Sequence, residues 1–255
     1  MKPAVDDATL AAQLARAAGD ELLRLRSGGR TGQDLKDAAD AAAQVVLADL
    51  LRTHRPDDAV LSEEAVDDPA RLVARRVWII DPLDGTREYG ELDRDDWAVH
   101  VALWAGGDLV AGAVALPARD VVYDTATPPV VPPAPSGGPR LAVSRTRPPA
   151  FVTALAEQFG GSLVPMGSAG VKCAAVWRGE ADAYVHSGGQ YEWDSAAPVA
   201  VARSAGLHTS RIDGSPLRYN QADPRLPDLL VCRPERADEM LSAIAAMVVS
   251  APDHT

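Results

Sequence analysis

The chain has 255 residues, 47% of them hydrophobic, and a formal net charge of −11. That is enough apolar material for one large domain or two closely packed smaller ones. The acidity excludes the basic stripe that nucleic-acid binding needs, and no apolar run is long enough to cross a bilayer.

From the N-terminus, residues 1–7 carry one lysine and two aspartates and no apolar core, so they do not read as a secretory signal. A cytoplasmic location is expected, with neither nucleic acid nor membrane as partner. Leu10, Leu14, Ala17, Ala18, Leu22 and Leu25 recur at helical spacing and predict a helix over 7–25, ended by Ser27-Gly28-Gly29. A second helix is expected over 40–53, with Asp40 at its N-cap. Residues 76–81 form a β-rich run that stops at Pro82 and delivers Asp81 at its C-terminal end. Further strands are predicted at 97–104, 109–116 and 121–125. The segment 127–139 (TPPVVPPAPSGGP) has the composition of a linker. It sets the expected boundary between an N-terminal α+β subdomain, 1–135, and a C-terminal α/β subdomain, 136–255.

Beyond it, strands are expected at 141–144, near Leu163, at 182–186 and at 229–232. Helices are expected at 149–159, 168–177, 194–205 and 236–249. This alternation predicts an α/β layer structure. The two cysteines, Cys173 and Cys232, are too few for a disulfide framework and lack the spacing of a zinc site, so both read as small buried hydrophobes.

Three acidic clusters carry the chemistry: Glu63-Glu64 after an apolar run, Asp81-Pro82-Leu83-Asp84-Gly85-Thr86, and Trp193-Asp194-Ser195-Ala196. Pro82 biases Asp81 toward an extended form, so a sharp turn between the aspartates can aim both carboxylates at one point. Gly85 permits close approach or positive φ, and Thr86 opens a helix whose free amides favour an anion. Carboxylates beside such a helix start would hold hard, oxygen-seeking cations next to a phosphate. Taken singly, each cluster also has a bland reading: solvated glutamates, an Asx turn, and a helix N-cap at Asp194.

These motifs, in this order, resemble the magnesium-dependent inositol monophosphatase and fructose-1,6-bisphosphatase superfamily. The signature there is Glu-Glu, then Asp-Pro-(Ile/Leu)-Asp-Gly-(Ser/Thr), then Trp-Asp-x-Ala. Asp84-Gly85-Thr86-Arg87-Glu88-Tyr89 is similar to the bisphosphate-nucleotidase branch, as are Arg94 to His100, Gly167 to Lys172 and Gly214 to Asn220. The resemblance covers nearly the whole chain. It implies a layered αβαβα sandwich and a phosphomonoesterase that removes the 3′-phosphate of 3′-phosphoadenosine 5′-phosphate in sulfate assimilation. Inositol 1-phosphate or fructose 1,6-bisphosphate is the alternative substrate for the same metal site. It also implies two or three Mg2+ ions and a possible homodimer.

Carried over residue by residue, Glu64, Asp81, the Leu83 carbonyl, Asp84 and Asp194 are the implied metal ligands, with Asp81 bridging. Asp40, Glu64 and Thr86 would orient the attacking water, with Asp37 competing for the place of Asp40. Gly85, Thr86, Arg87, Ser168 and Lys172 are the implied substrate contacts. For Lys172 an exposed helix position is the competing reading, and for Ser168 a plain helix cap. A haloacid-dehalogenase-type phosphoaspartate enzyme would need its two aspartates two residues apart. Asp81 and Asp84 stand three apart.

Overall fold

A computed structural model describes residues 5–250. Its elements run α1 (Asp7–Arg26), α2 (Gly32–His54), β1 (Ala59–Ser62), β2 (Arg76–Asp84), α3 (Thr86–Gly90), β3 (Ala98–Ala105), β4 (Asp108–Leu116) and β5 (Val121–Asp124). After the proline-rich segment come β6 (Arg140–Ser144), α4 (Ala150–Gln158), β7 (Ser162–Met166), α5 (Ala169–Trp177), β8 (Ala183–Ser187), α6 (Glu192–Ser204), β9 (His208–Ser210), β10 (Asp228–Cys232) and α7 (Ala237–Ser250). No helix among the described residues is long and apolar enough to cross a membrane.

The strands form two five-stranded sheets. The first has the order β1-β2-β3-β4-β5, parallel only between β1 and β2. The second has the order β7-β6-β8-β10-β9, with β6 parallel to β7 and β8. Side chains alternate across each sheet, and this period of two builds the layers. Trp78 and Ile80 of β2 face α1 and α2, in a core with Leu14, Leu22, Leu35 and Leu47. Val77 and Ile79 face the opposite way, toward α5, α6 and the near side of the second sheet. On that sheet's far side, Leu141, Val185 and Leu230 pack against α4 and α7. The result is five layers, helices–sheet–helices–sheet–helices, as the resemblance implied. The layer of α5 and α6 is sandwiched between both sheets.

Three local expectations change. The second helix starts at Gly32, not Asp40, with Thr31 as its N-cap. The buried stripe Leu35–Ala39–Ala43–Leu47–Leu51 recurs every four residues and starts before Asp40, so the helix extends to cover it. Asp40 therefore projects from mid-helix. Strand β2 does not stop at Pro82. Asp81 pairs with His100 and Asp84 with Ala98, so three steps on one strand match two on the other. A β-bulge absorbs the extra residue and the missing proline donor, and the ladder resumes. Finally, α6 starts two residues ahead of Asp194, which makes that residue part of the first turn and not its N-cap.

The central layer leaves no slack. A Cβ on Gly112 of β4 would lie 2.6 Å from Ala200 Cβ and 3.3 Å from Ala197 O of α6. Gly112→Val is expected to destabilise the protein by ~1–3 kcal/mol through overpacking, measured by urea unfolding. Val110→Ala, on the same strand but 53% exposed, should change the midpoint little.

Candidate metal centre and adjoining pocket

The bulge in β2 aims Asp81 and Asp84 toward the first turn of α6. One carboxylate oxygen from each of Asp81, Asp84 and Asp194 falls within 4.8 Å of the others. Each acid is fixed by its own local chemistry. Asp81 Oδ1 accepts the Leu83 amide at 3.0 Å, the Asx turn that a bland reading foresaw, yet Asp81 is buried and part of the cluster. Asp194 Oδ2 accepts the Tyr191 amide at 2.7 Å, which ties it to the start of α6. Asp84 Oδ2 accepts the Ser168 hydroxyl at 2.5 Å and the Gly170 amide at 2.9 Å, both from the N-terminus of α5. Asp84 Oδ1 accepts neither of these bonds.

His100 joins β2 to the first turn of α6. Its ring is wholly buried, Nδ1 lies 3.2 Å from the Trp193 carbonyl oxygen, and Nε2 lies 3.3 Å from Asp84 Oδ2. The sequence offered no partner spacing for this histidine, because its partners are 16 residues back and 93 residues ahead.

Glutamates 63 and 64 separate clearly. Glu63 continues β1, its amide reaching the Ile80 carbonyl, and its carboxyl group hydrogen-bonds Asp81 and faces Asp84. Glu64 folds back, its amide on the Ser62 hydroxyl at 3.3 Å, and its charge acts on Asp40. The chain thus places the Glu63 carboxyl, and not that of Glu64, beside Asp81, set by which side of the strand end each residue faces. Adjacent glutamates cannot be told apart until that direction is known. Asp40 lies against both glutamates, whereas the exposed Asp37 is held by Gln33 on its own helix face.

Electrostatically the cluster is a set of acids with too little compensation. Burial raises the Asp81 carboxyl well above the usual range, and repulsion from Glu63, Asp84 and Asp194 adds to it. Burial, then Asp84, pushes Asp194 up to about 8. Glu63 is exposed as a residue, but enclosure of its carboxyl by the cluster is the first cause lifting it to about 7. Asp40 reaches about 7 through burial and the charges of Glu64 and Glu63. The donor set is oxygen only, close-packed and acidic, which fits a hard divalent cation. The Leu83 carbonyl, also an implied ligand, accepts the Thr86 hydroxyl at 3.1 Å.

Beside the cluster opens a pocket of about 240 Å³ whose lining includes Gly85, Thr86, Arg87, Arg147, Ser168 and Lys172. All five sequence-derived substrate residues therefore line one space, and Arg147 is an addition. Its signal was the polar run Ser144-Arg145-Thr146-Arg147 at the end of a strand. Gly85 adopts φ +90, and a Cβ there would meet Trp97 and Ser168 at 3.3 Å, so backbone comes close to the site. Ser168 both caps α5, accepting from Val171, and donates to Asp84. Lys172 is not an exposed helix residue. It is 6% exposed, its ammonium donates to the Gly167 carbonyl at 3.2 Å and lies over the Tyr184 ring, and burial lowers its pKa. Tyr219 is in the core, its hydroxyl 3.2 Å from Ser195 Oγ.

The family model described as "Inositol monophosphatase family" matches residues 2–129 and 136–249. A protein of Mycobacterium leprae named 3′-phosphoadenosine 5′-phosphate phosphatase is 52% identical over 256 aligned positions, covering 93% of each chain. Among solved structures, inositol monophosphatase-II from Staphylococcus aureus superposes with a TM-score of 0.83 at 20% identity, over 97% of this chain and 98% of that one. CysQ from Bacteroides thetaiotaomicron superposes at 0.77 with 25% identity, over 88% and 96%.

The raised carboxyl pKa values set a pH dependence. A carboxyl with a native pKa above its unfolded value favours folding while protonated. That contribution is complete below about 4 and is lost as pH climbs through the native values near 7 and 8. The metal-free protein is therefore expected to show a falling Tm between pH 5 and pH 8.5. Asp194→Asn should raise the metal-free Tm at the upper end of that window, because it deletes a repelling charge and keeps an acceptor for Tyr191. Thermal scans in chelator across pH check both outcomes.

Proposed function

The chain belongs to the inositol monophosphatase family, and from that premise we propose that it is a Mg2+-dependent phosphatase removing the 3′-phosphate of 3′-phosphoadenosine 5′-phosphate, giving AMP and phosphate. The observation that carries the reading is one juxtaposition. Three converging carboxylates that could hold metal adjoin a pocket lined by Arg87, Arg147 and Lys172. A substrate with two phosphates has one for each half of that site. The 52% identity to a mycobacterial phosphatase of this name supports the nucleotide over an inositol or sugar phosphate.

In this reading Asp81, Asp84, Asp194 and Glu63 hold two or three Mg2+ ions, with the Leu83 carbonyl completing the set. Bound cations would supply charge neutralisation on the phosphoryl oxygens and a lowered pKa for water. The residues do the rest by position. Asp40, pushed up to about 7, suits a proton acceptor near neutral pH, and it faces the glutamates from α2. Thr86 can turn its hydroxyl from Leu83 to the attacking water. The backbone amides of Gly85 and Thr86 offer donors to the reacting phosphate. Lys172, anchored at Gly167 and short of a carboxylate partner, meets the second phosphate with Arg87 and Arg147. The division of the chain near residue 135, assembly as a homodimer and a cytoplasmic location complete the proposal.

Phosphate release with Mg2+ from the adenosine bisphosphate, inositol 1-phosphate and fructose 1,6-bisphosphate tests the substrate. The nucleotide should lead by ~10-fold or more in kcat/KM, and a lead by either other substrate would sink the nucleotide assignment. Lys172→Met should raise KM for the bisphosphate ~10- to 100-fold, the value of one hydrogen bond to a charged group. It should leave KM for 3′-AMP nearly unchanged, and an equal rise for both would remove Lys172 from the second-phosphate site. Asp84→Asn should cut kcat by more than ~100-fold, beyond the effect of losing a mere outer-shell partner of a metal.

A further inference from the structure

The loop that carries Glu63 has almost no core of its own. From Glu63 to Ala70 every residue is exposed, and Arg71 is the single buried side chain between Glu63 and Arg75. Arg71 sits in a short 3-10 turn, Pro69–Val73, whose start is capped by Asp68. Its side chain is 1% exposed and uses its whole fork. Nε and Nη2 donate to Asp67 at 2.6 and 3.0 Å, Nη1 donates to Asn220 Oδ1 at 2.8 Å, and Nη2 donates to the Gln221 carbonyl at 2.9 Å. Asn220 Nδ2 returns a bond to the Arg71 carbonyl at 3.2 Å.

Asn220 and Gln221, the partners of Arg71, also grip the start of α6. Glu192, 1% exposed, accepts the Asn220 amide on one carboxylate oxygen at 2.6 Å and the Gln221 amide on the other at 2.8 Å. Its own amide donates to the Pro224 carbonyl at 2.8 Å. Two residues further on in the same turn of helix stands Asp194. An unbroken chain of buried, oriented hydrogen bonds thus runs from the Glu63 loop through Arg71, Asn220 and Glu192 to the helix turn that presents Asp194. It joins segments 149 residues apart.

We infer that Arg71 is a positioning residue for the metal centre: by strapping the β1–β2 loop to the Asn220–Gln221 turn, it fixes the spacing between Glu63 and Asp194 and so sets affinity for the divalent cation. Arg71 touches neither acid. It acts through Asn220 and Glu192 on one side and through the loop backbone on the other. Lysine could not replace it, because an ammonium has three donors on one atom, whereas Arg71 makes four bonds from three separated nitrogens, two of them paired on Asp67. The inference rests on the metal reading of the acid cluster and not on the choice of substrate.

The test uses the full chain and Mg2+ alone. Thermal unfolding is followed in chelator and over a Mg2+ series, and the Mg2+ concentration giving half the maximal rise in Tm is read for each protein. Arg71→Met is the direct variant. Asn220→Gly is the second, since Asn220 holds φ +59, which glycine adopts freely, so the side chain is removed without straining the turn. Both are expected to shift the half-saturating Mg2+ concentration upward by ~3-fold or more, up to the ~10- to 100-fold of groups bonded directly to metal ligands, with excess Mg2+ restoring most of kcat. If both variants lower the metal-free Tm but keep the wild-type Mg2+ response, the strap is a stability element only and the inference fails. Should Arg71→Met not fold, Asn220→Gly decides alone. A wild-type protein whose Tm ignores Mg2+ would overturn the metal reading itself, a result visible before any variant is made.

Discussion

The structure is organised around mutual repulsion. Asp81, Asp84 and Asp194 are held within 4.8 Å of one another, with Glu63 bonded to Asp81 and Asp40 behind it. Nothing in water would gather such a group, since desolvation and like charge both oppose it. The five layers supply the force. Apart from Glu63, the acids sit on elements locked in the two cores that flank the first sheet: β2 in both, α6 in the one facing the second sheet, α2 in the outer one. Hydrophobic burial spread over many residues sets where the backbones lie, and the carboxylates have no freedom to move apart. Protonation relieves them below their raised pKa values, and above those a cation can.

The helix α5 gives the site its second half. Its N-terminal turn hydrogen-bonds Asp84 through Ser168 and Gly170, and the next turn buries Lys172 beside the pocket. Acid cluster and anion-receptive pocket therefore share one rigid element. A rotation of α5 would disturb both, which links cation binding to the shape of the pocket by packing alone. Most arginines elsewhere, such as Arg76, Arg140 and Arg211, are paired with carboxylates. In a chain of net charge −11, three cations, Arg87, Arg147 and Lys172, line this one pocket.

Much of this was legible in the sequence because the informative signals are local. The strand runs follow a period of two, glycine and proline punctuate them, and Asp81-Pro82-Leu83-Asp84-Gly85-Thr86 encodes converging acids and close approach in six residues, though not the bulge by which the strand resumes past Pro82. What stayed hidden depends on direction or distance. Two adjacent glutamates differ only in which way a strand end faces, so Glu63 and Glu64 could be exchanged. The start of α2 at Gly32 was masked by the polar Gln33, Asp34, Lys36 and Asp37, although Leu35 and Ala39 already continue the buried stripe. The strand His208–Ser210 is too short and polar to read as one. The burial of Lys172 and the span of Arg71 to Asn220 come from tertiary packing, for which one sequence carries no pattern.

The metal reading of the acid cluster requires a divalent cation to bind at Asp81, Asp84 and Asp194. Anomalous diffraction from crystals grown with Mn2+ tests it directly, because Mn2+ shares the oxygen preference of Mg2+ and is visible where Mg2+ is not. One or more peaks are expected at roughly 2.1–2.3 Å from carboxylate oxygens of Asp81, Asp84 and Asp194, with Glu63 and not Glu64 turned toward the metal. An empty cluster in a crystal that holds Mn2+ elsewhere would contradict it.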